Sequence, residues 1–432
     1  MSVSVAIVGS GPAGFYTAAT LLKAAQTYDI DIIERLPSPY GLVRYGVAPD
    51  HQTTKKICKV FARTAEQDPV RYYGNVNVGV DITIDELRNV YDAVVIAIGA
   101  PNDREWPVSG SCKRGVLGAT SFVGWYNGHP DFQDLEFDLD VSTVAVIGNG
   151  NVAIDVARVL VKTRNEMIES DLPDYASKAI HNSRLDTVQV FGRRGPIEAS
   201  FTNVELREMG QLEDCFPVVD GNQIPERVLG EMSERDYRLK ERNLATLKEF
   251  SLLKYSTLSK RVQFQFFSLP REILGGDRVE GLRLERTVIS NNQVEGTKQY
   301  FDIECGLIIY ALGNRGAPLS GVPYDKKSSM IKNLDGRVSK GLYGVGWAAR
   351  NPVGVISTNR QDAMRVCGHI QSDIQVGEKP GRSTLEKILC GRNVRWITFD
   401  QWKQVDDAEV VSATHGAPRR KFLRLEDIQS IL

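Results

Sequence analysis

The chain has 432 residues, enough for roughly two to three domains and a large buried core. It is 42% hydrophobic and 25% charged with a formal net charge of −1, so it has no global field to recruit nucleic acid or an anionic membrane. No apolar stretch is long enough to span a bilayer, which excludes helical membrane insertion as well.

The N-terminus enters an apolar run, Val5–Val8, almost at once. That leaves no room for a signal or transit peptide. The expected location is the cytoplasm of a bacterium, although a processed organellar protein has the same features. The run ends in Gly9-Ser-Gly11-Pro-Ala13-Gly14, a G-x-G-x-x-G loop opening a helical pattern. Gly9 permits the tight strand-to-helix turn. Gly11 lets a pyrophosphate approach the backbone, and Gly14 lets the helix pack close to the strand. Phosphates then meet the free N–H groups and dipole of the helix N-terminus. The next predicted strand, Ile30–Ile33, ends in Glu34, twenty residues beyond Gly14. A carboxylate there accepts hydrogen bonds from ribose hydroxyls and repels a 2′-phosphate, so this site takes FAD or NAD and not NADP.

Val90–Ala100 reads as a buried parallel strand ending in a glycine turn at Gly99. Pro101–Pro107 reads as a loop and a domain crossing. The phosphate-loop signature then recurs as Val144–Ile147 followed by Gly148-Asn149-Gly150-Asn151-Val152-Ala153, with alanine in the third glycine's place. Two such loops imply two dinucleotides, and most simply a protein that carries electrons between them. Val161–Leu185 is mostly polar and partly helical, with a break expected at Pro173. The strand Thr187–Phe191 ends in Gly192-Arg193-Arg194-Gly195. Two planar cationic forks at that position suit a 2′-phosphate, so the second site takes NADP(H).

Residues 231–255 read as a charged helix in which Arg238, Lys240 and Arg242 form the best contiguous basic cluster. Strands are predicted at Val262–Phe267, Arg278–Val288 and Tyr300–Ile303. Gly306–Gly313 mirrors the strand before Gly99, and the chain returns there to its first domain. Gly341–Trp347 is a further strand and turn, and Pro352–Thr358 opens a helix through Ile370. Arg419-Arg420-Lys421 reads as a surface cluster and the second docking candidate. The six cysteines are scattered without C-x-x-C, and the five histidines lack metal-site spacing, so neither a redox disulfide, an iron–sulfur cluster nor a metal centre is expected.

Several longer motifs are specific. They are Pro39–His51 (PYGLVRYGVAPDH), Gly148–Arg158 (GNGNVAIDVAR), Gly192–Pro196, Glu205–Met209 and Gly354–Ile356. Through them nearly the whole chain resembles the adrenodoxin reductase-like ferredoxin–NADP reductases, the family that includes the FprA-type enzymes. The resemblance implies an α/β protein with two Rossmann-like domains. A discontinuous FAD domain would take residues 1–105 and 312–432, with an NADP domain, 106–311, inserted. It implies FAD contacts at Ala13, Glu34, Leu42, Val78, Trp347, Gly354, Val355 and Ile356. NADP contacts would fall at Asn149, Gly150, Asn151, Val152, Arg193, Arg194, Glu205 and Gly354. His51 and Glu208 match positions that the family places near the nicotinamide. His51 suits such a place because it titrates near neutrality, and Glu205 and Glu208 lie one helical turn apart on one face.

The implied reaction is hydride transfer from NADPH to FAD, then single-electron transfer to a separate ferredoxin- or adrenodoxin-type iron–sulfur protein. Docking would be transient and electrostatic. Gly346-Trp347 stands where the wider two-dinucleotide flavoproteins carry Gly-Asp, which argues against a glutathione-reductase type. Two rival functions remain open from the residues: an NADPH diaphorase or quinone reductase, and a non-catalytic flavin- or nucleotide-sensing protein.

Overall fold

The computed structural model describes residues 2–253, 257–414 and 416–432. Lys254 and Tyr255, at the end of the predicted charged helix, lie outside these residues, as does His415 among the dispersed histidines. The chain divides into two compact units, Met1–Asn102 with Gly313–Leu432, and Asp103–Leu312.

The first unit is built on a six-stranded sheet. Its order is Arg337–Ser339, Leu342–Gly344, Ala93–Ile96, Val3–Val8, Tyr28–Ile33, Val70–Tyr73. All neighbours are parallel except the Arg337–Ser339 and Leu342–Gly344 pair. Both faces are covered, so Val5–Val8 and Ala93–Ile96 are apolar at every position rather than at alternate ones. Val3, Val5 and Ile7 pack on one side with the helices Pro12–Leu21, Cys58–Ala65 and Thr358–Asp373. Ala6 and Val8 pack on the other with Ile84–Val90 and Arg382–Gly391. The predicted strand at Val90–Ala100 is shorter than expected. Val90 ends a helix started by a capping box at Thr83 and Glu86, and pairing stops at Ile96.

The second unit repeats the plan. Its six strands are Val116–Gly118, Leu307–Tyr310, Thr143–Ile147, Thr187–Phe191, Lys260–Gln265 and Cys215–Val219, in that spatial order and all parallel. An antiparallel sheet, Ser268–Leu274, Gly281–Ser290 and Gln293–Glu304, adds Ile273, Leu282 and Leu284 to a core shared with Ala145, Ile147 and Ile308. Ser268–Leu274 was not anticipated. Pro270 and the charged Arg271-Glu272 interrupt its alternation, and the pairing register shifts between Pro270 and Glu272. Pro173 does not break a helix. With φ −60° and ψ 145° it is the N-cap of Asp174–His181, a position its fixed φ suits.

The duplication extends to one hydrogen-bonding device. Ala97 N–H donates to the Val8 carbonyl and Ala311 N–H to the Ile147 carbonyl, both at 2.7 Å. Each alanine carbonyl then occupies the space a side chain would need at the first glycine of the adjoining loop. A Cβ on Gly9 would lie 2.6 Å from the Ala97 oxygen, and one on Gly148 would lie 2.5 Å from the Ala311 oxygen. Each loop is thus fitted to the strand entering from beyond the crossover, at the crevice where dinucleotides bind in such sheets.

Candidate nucleotide-binding sites

In the first unit, Gly9 turns the chain at φ +109° out of the central strand. A Cβ on Gly14 would lie 2.1 Å from the Gly9 oxygen, whereas one on Gly11 would meet nothing within 4 Å. The loop is therefore tight where the helix must approach and open where an anion must. Gly11 caps Pro12–Leu21 without a side-chain acceptor and without an acid in the first turn, which leaves the N–H groups and the dipole directed at the opening.

Glu34 lies across this opening. One oxygen accepts from Ser10 N–H (2.9 Å) and Ser10 Oγ (2.6 Å), the other from Leu36 N–H (3.0 Å). Tyr40 N–H donates to the Ser10 carbonyl at 3.1 Å, bringing Gly41 and the exposed Leu42 beside Gly11. Ala13 packs under Gly346, and the neighbouring Trp347 has a buried indole Nε1 with no hydrogen-bond partner among the described residues. Asn359 ties the Ile356 carbonyl (3.0 Å) to the same corner, and Arg350 holds the Val353 carbonyl (2.6 Å). Gly354 and Val355 are thus exposed on a fixed loop, with Gly354 at φ +103°. Val78 is buried in the apolar core that also holds Val8, Ile33 and Val76. His51 is partly buried and starts the short turn Gln52–Lys55, its N–H on the Ala48 carbonyl at 3.0 Å.

In the second unit, Gly150 likewise opens a helix, Asn151–Val161, with no side-chain cap. Ala153 is fully buried against the strand. The Asn149 carbonyl accepts from Ser200 and Phe201 N–H at 2.8 and 3.2 Å, and Asn151 Oδ1 accepts from Thr202 N–H at 2.7 Å. Val152 is exposed beside them. Asn149 Nδ2 lies 1.7 Å from where a Cβ on Gly192 would be, so Gly192 has to be glycine for the asparagine to sit between loop and strand end. Asn149 Oδ1 is buried with no hydrogen-bond partner among the described residues.

Arg193 and Arg194 follow. Their backbone is fixed, with the Arg193 carbonyl accepting from Thr287 Oγ1 (2.8 Å) and the Arg194 carbonyl from Phe267 N–H (3.1 Å). Both side chains are exposed, and among the described residues neither guanidinium has a protein partner. Two exposed cations following a strand end offer charge-assisted donors of the kind that suit an anion.

Sequence reasoning missed Arg158. Its side chain is fully buried, with Nη1 2.8 Å from Asp155 Oδ1, 3.2 Å from Glu208 Oε2 and 3.5 Å from Glu205 Oε2. Thr202 caps the helix Asn203–Glu208 that carries both glutamates. The one available signal was an arginine three residues after Asp155 in an otherwise apolar helix.

Neither basic cluster stands as expected. Arg238 and Arg242 share an exposed face of the helix Glu234–Ser251, but Lys240 is on its packed side with Leu244 and Leu247, holding the Ala199 carbonyl. Burial lowers its pKa. Arg419 pairs with Asp406 and Glu409, and the buried Lys421 donates to the Arg44 carbonyl (3.3 Å). Only Arg420 of that tail is exposed.

A sequence profile described as pyridine nucleotide-disulphide oxidoreductase matches residues 3–170. NADPH-ferredoxin reductase FprA of Mycobacterium leprae is 37% identical over 446 residues, covering 99% of this chain and 98% of that protein. The mitochondrial NADPH:adrenodoxin oxidoreductase of Homo sapiens is 37% identical over 454 residues, covering 99% and 91%. The chain belongs to the adrenodoxin reductase-like family of ferredoxin–NADP reductases. A solved structure of Mycobacterium tuberculosis FprA in complex with NADPH matches this reductase with a TM-score of 0.94 at 34% identity, covering 100% of this chain and 99% of that one. The reductase is an FAD- and NADP(H)-dependent oxidoreductase with two Rossmann-like domains. The residues present suit both cofactors: an acid and an unsatisfied indole donor at one open loop, free arginines at the other. All six cysteines are unpaired. Among the described residues, no helix is long and apolar enough to cross a membrane.

Proposed function

We propose that this reductase holds FAD at the first glycine loop and NADP(H) at the second, and delivers electrons from NADPH singly to a ferredoxin-type iron–sulfur protein. The contrast between Glu34 at one loop and the unpartnered Arg193 and Arg194 at the other carries this assignment. On this reading residues 1–105 and 312–432 form the FAD domain and 106–311 the NADP domain. Glu34 accepts from ribose hydroxyls, and Trp347 Nε1 donates to the flavin cofactor. Gly354, Val355 and Ile356 supply backbone contacts, and Leu42 and Val78 supply packing. Asn149–Val152 cradle the NADP pyrophosphate, Arg193 and Arg194 hold its 2′-phosphate, and Glu205 takes a ribose hydroxyl. Gly354 also meets the nicotinamide nucleotide, and His51 and Glu208 orient its ring. FAD, when bound, supplies the conversion of a two-electron hydride into single electrons. No side-chain nucleophile is needed; the protein binds, orients and excludes water.

Partner docking is proposed to be transient and electrostatic, with Arg238 and Arg242 as its basic element in place of the three-residue cluster. A bacterial cytoplasmic location belongs to the same reading and rests on the likeness to the M. leprae reductase.

The test is spectroscopic. The purified protein is expected to be yellow, to bleach with NADPH far faster than with NADH, and to reoxidise on mixing with a ferredoxin faster than with a quinone. A chain that cannot be reconstituted with FAD overturns the proposal, and preferential reoxidation by quinone supports the diaphorase instead. His51→Ala and Glu208→Ala are each expected to slow flavin reduction without loss of FAD. A misplaced nicotinamide costs on the order of 100-fold in rate. Unchanged single-turnover reduction in both variants would make these residues bystanders.

A further inference from the structure

Glu205 and Glu208 share one unexpected anchor. Their helix, Asn203–Glu208, has only six residues and is too short to hold two partly exposed glutamate side chains in fixed rotamers by itself. Arg158 comes from a different helix, Asn151–Val161, whose N-terminus is the second phosphate loop. Its side chain has no solvent exposure, yet its Nη1 reaches three carboxylates: Asp155 at 2.8 Å, Glu208 at 3.2 Å and Glu205 at 3.5 Å. A guanidinium is always charged, and its planar donors have a fixed geometry. Burying it is unfavourable unless carboxylates surround it. Asp155, one turn back on its own helix, aims the guanidinium, which in turn fixes the two glutamates that remain partly open to solvent.

We propose that Arg158 is the positioning residue for the nicotinamide end of the NADP(H) site. It couples the helix that receives the pyrophosphate to the two carboxylates that orient the nicotinamide ribose and ring. This inference rests on the site assignment made above for Glu205 and Glu208. Arg158 touches neither ring nor flavin and acts only through those side chains. A lysine in its place keeps the charge but offers a single point donor, which cannot hold two glutamates in one geometry.

The test uses the FAD-loaded full chain with Arg158→Lys, Glu205→Gln, Glu208→Gln and the Arg158→Lys/Glu208→Gln double variant. Arg158→Lys is expected to lower the rate of flavin reduction per bound FAD by on the order of 100-fold, with KM for NADPH raised by no more than about tenfold because the 2′-phosphate contacts are intact. Its NADP⁺ binding by calorimetry is expected to weaken about tenfold, one charge-assisted contact's worth. Binding of adenosine 2′,5′-bisphosphate, which lacks the nicotinamide end, is expected to stay the same. The double variant is expected to be less impaired than the product of the two single effects, because Arg158 acts in part through Glu208. A merely structural arginine would lower thermal stability and FAD content and leave the rate per flavin and the fragment comparison unmoved, and that result overturns the proposal. If Glu208→Gln or Glu205→Gln slows reduction and Arg158→Lys does not, the inference fails while the site reading stands. If both glutamine variants are normal, the site reading itself fails. Should Arg158→Lys not hold FAD, Asp155→Asn decides. Loosening the nearest anchor must weaken NADP⁺ and spare the fragment, and an equal change in both overturns the proposal.

Discussion

Replacing Arg193 and Arg194 together by alanine is expected to lower kcat/KM for NADPH by at least about two orders of magnitude while leaving NADH nearly unaffected. Both guanidiniums are exposed and have no protein partner among the described residues, so none of their hydrogen-bonding capacity is already used. Each charge-assisted contact to phosphate contributes about 1.5–3 kcal/mol, and two at the low end already exceed a hundredfold. The loss should appear in KM, because the 2′-phosphate is remote from the transferred hydride and is bound alike in ground and transition states. Since neither side chain supports the fold, the thermal midpoint should not move. Steady-state kinetics with both nucleotides measure this. Equal wild-type efficiency with NADH and NADPH, or a double variant that loses both equally, would remove the 2′-phosphate site from these residues.

Glu409→Ala is expected to be the most destabilising single change in the first unit, by about 3–5 kcal/mol. Glu409 has no exposed surface and accepts from Arg44 Nη1 at 2.9 Å and Phe422 N–H at 2.9 Å, with Arg419 Nη1 at 3.4 Å. The Arg44 guanidinium is buried over Trp402, 4.9 Å from the ring centroid. Burial works against the charge on Arg44, but Glu409 and Tyr45 together outweigh it and hold the arginine well above its ordinary pKa. Removing the acid therefore leaves a buried cation without its counter-charge, the costly half of a broken pair. An exposed pair such as Arg238–Glu234 is worth only about 0.3–0.5 kcal/mol by comparison. For a unit of this size the thermal midpoint should fall by roughly 10 °C. Arg44 lies in the turn Leu42–Tyr45, immediately after Gly41, so FAD retention should fall with it. Calorimetry and the flavin-to-protein absorbance ratio follow both effects, and a midpoint within about a degree of wild type would refute the clamp.

Certain features of this reductase are written in short stretches of sequence because they depend on local backbone needs. Gly9, Gly14 and Gly148 are fixed by a positive φ or by a carbonyl within 3 Å of a missing Cβ. Glu34 falls one residue past the end of a parallel strand and Arg193–Arg194 two and three residues past another, and strand ends are set by apolar runs that can be counted. The duplicated fold followed from these features, and the family from the longer motifs such as Pro39–His51 and Gly148–Arg158. Where the pattern was broken the reading faltered, as at Ser268–Leu274 with its internal proline and at Pro173, whose fixed φ serves a helix start as readily as a break.

What only the tertiary structure decided is the surroundings of each charge. Arg158, Lys240, Lys421 and Arg242 look alike in a sequence, yet the first three are wholly or largely withdrawn from solvent and the last is exposed. Lys421 is committed to Arg44, 377 residues away, and Glu409 to the same arginine, 365 residues away. Arg158 finds Glu205 and Glu208 only because two helices of one unit pack together. Gly192 is glycine because Asn149 leans on it. A residue's backbone preference is a property of its near neighbours. The dielectric and the partners of a side chain come from whatever the fold packs against it, and no local pattern encodes them.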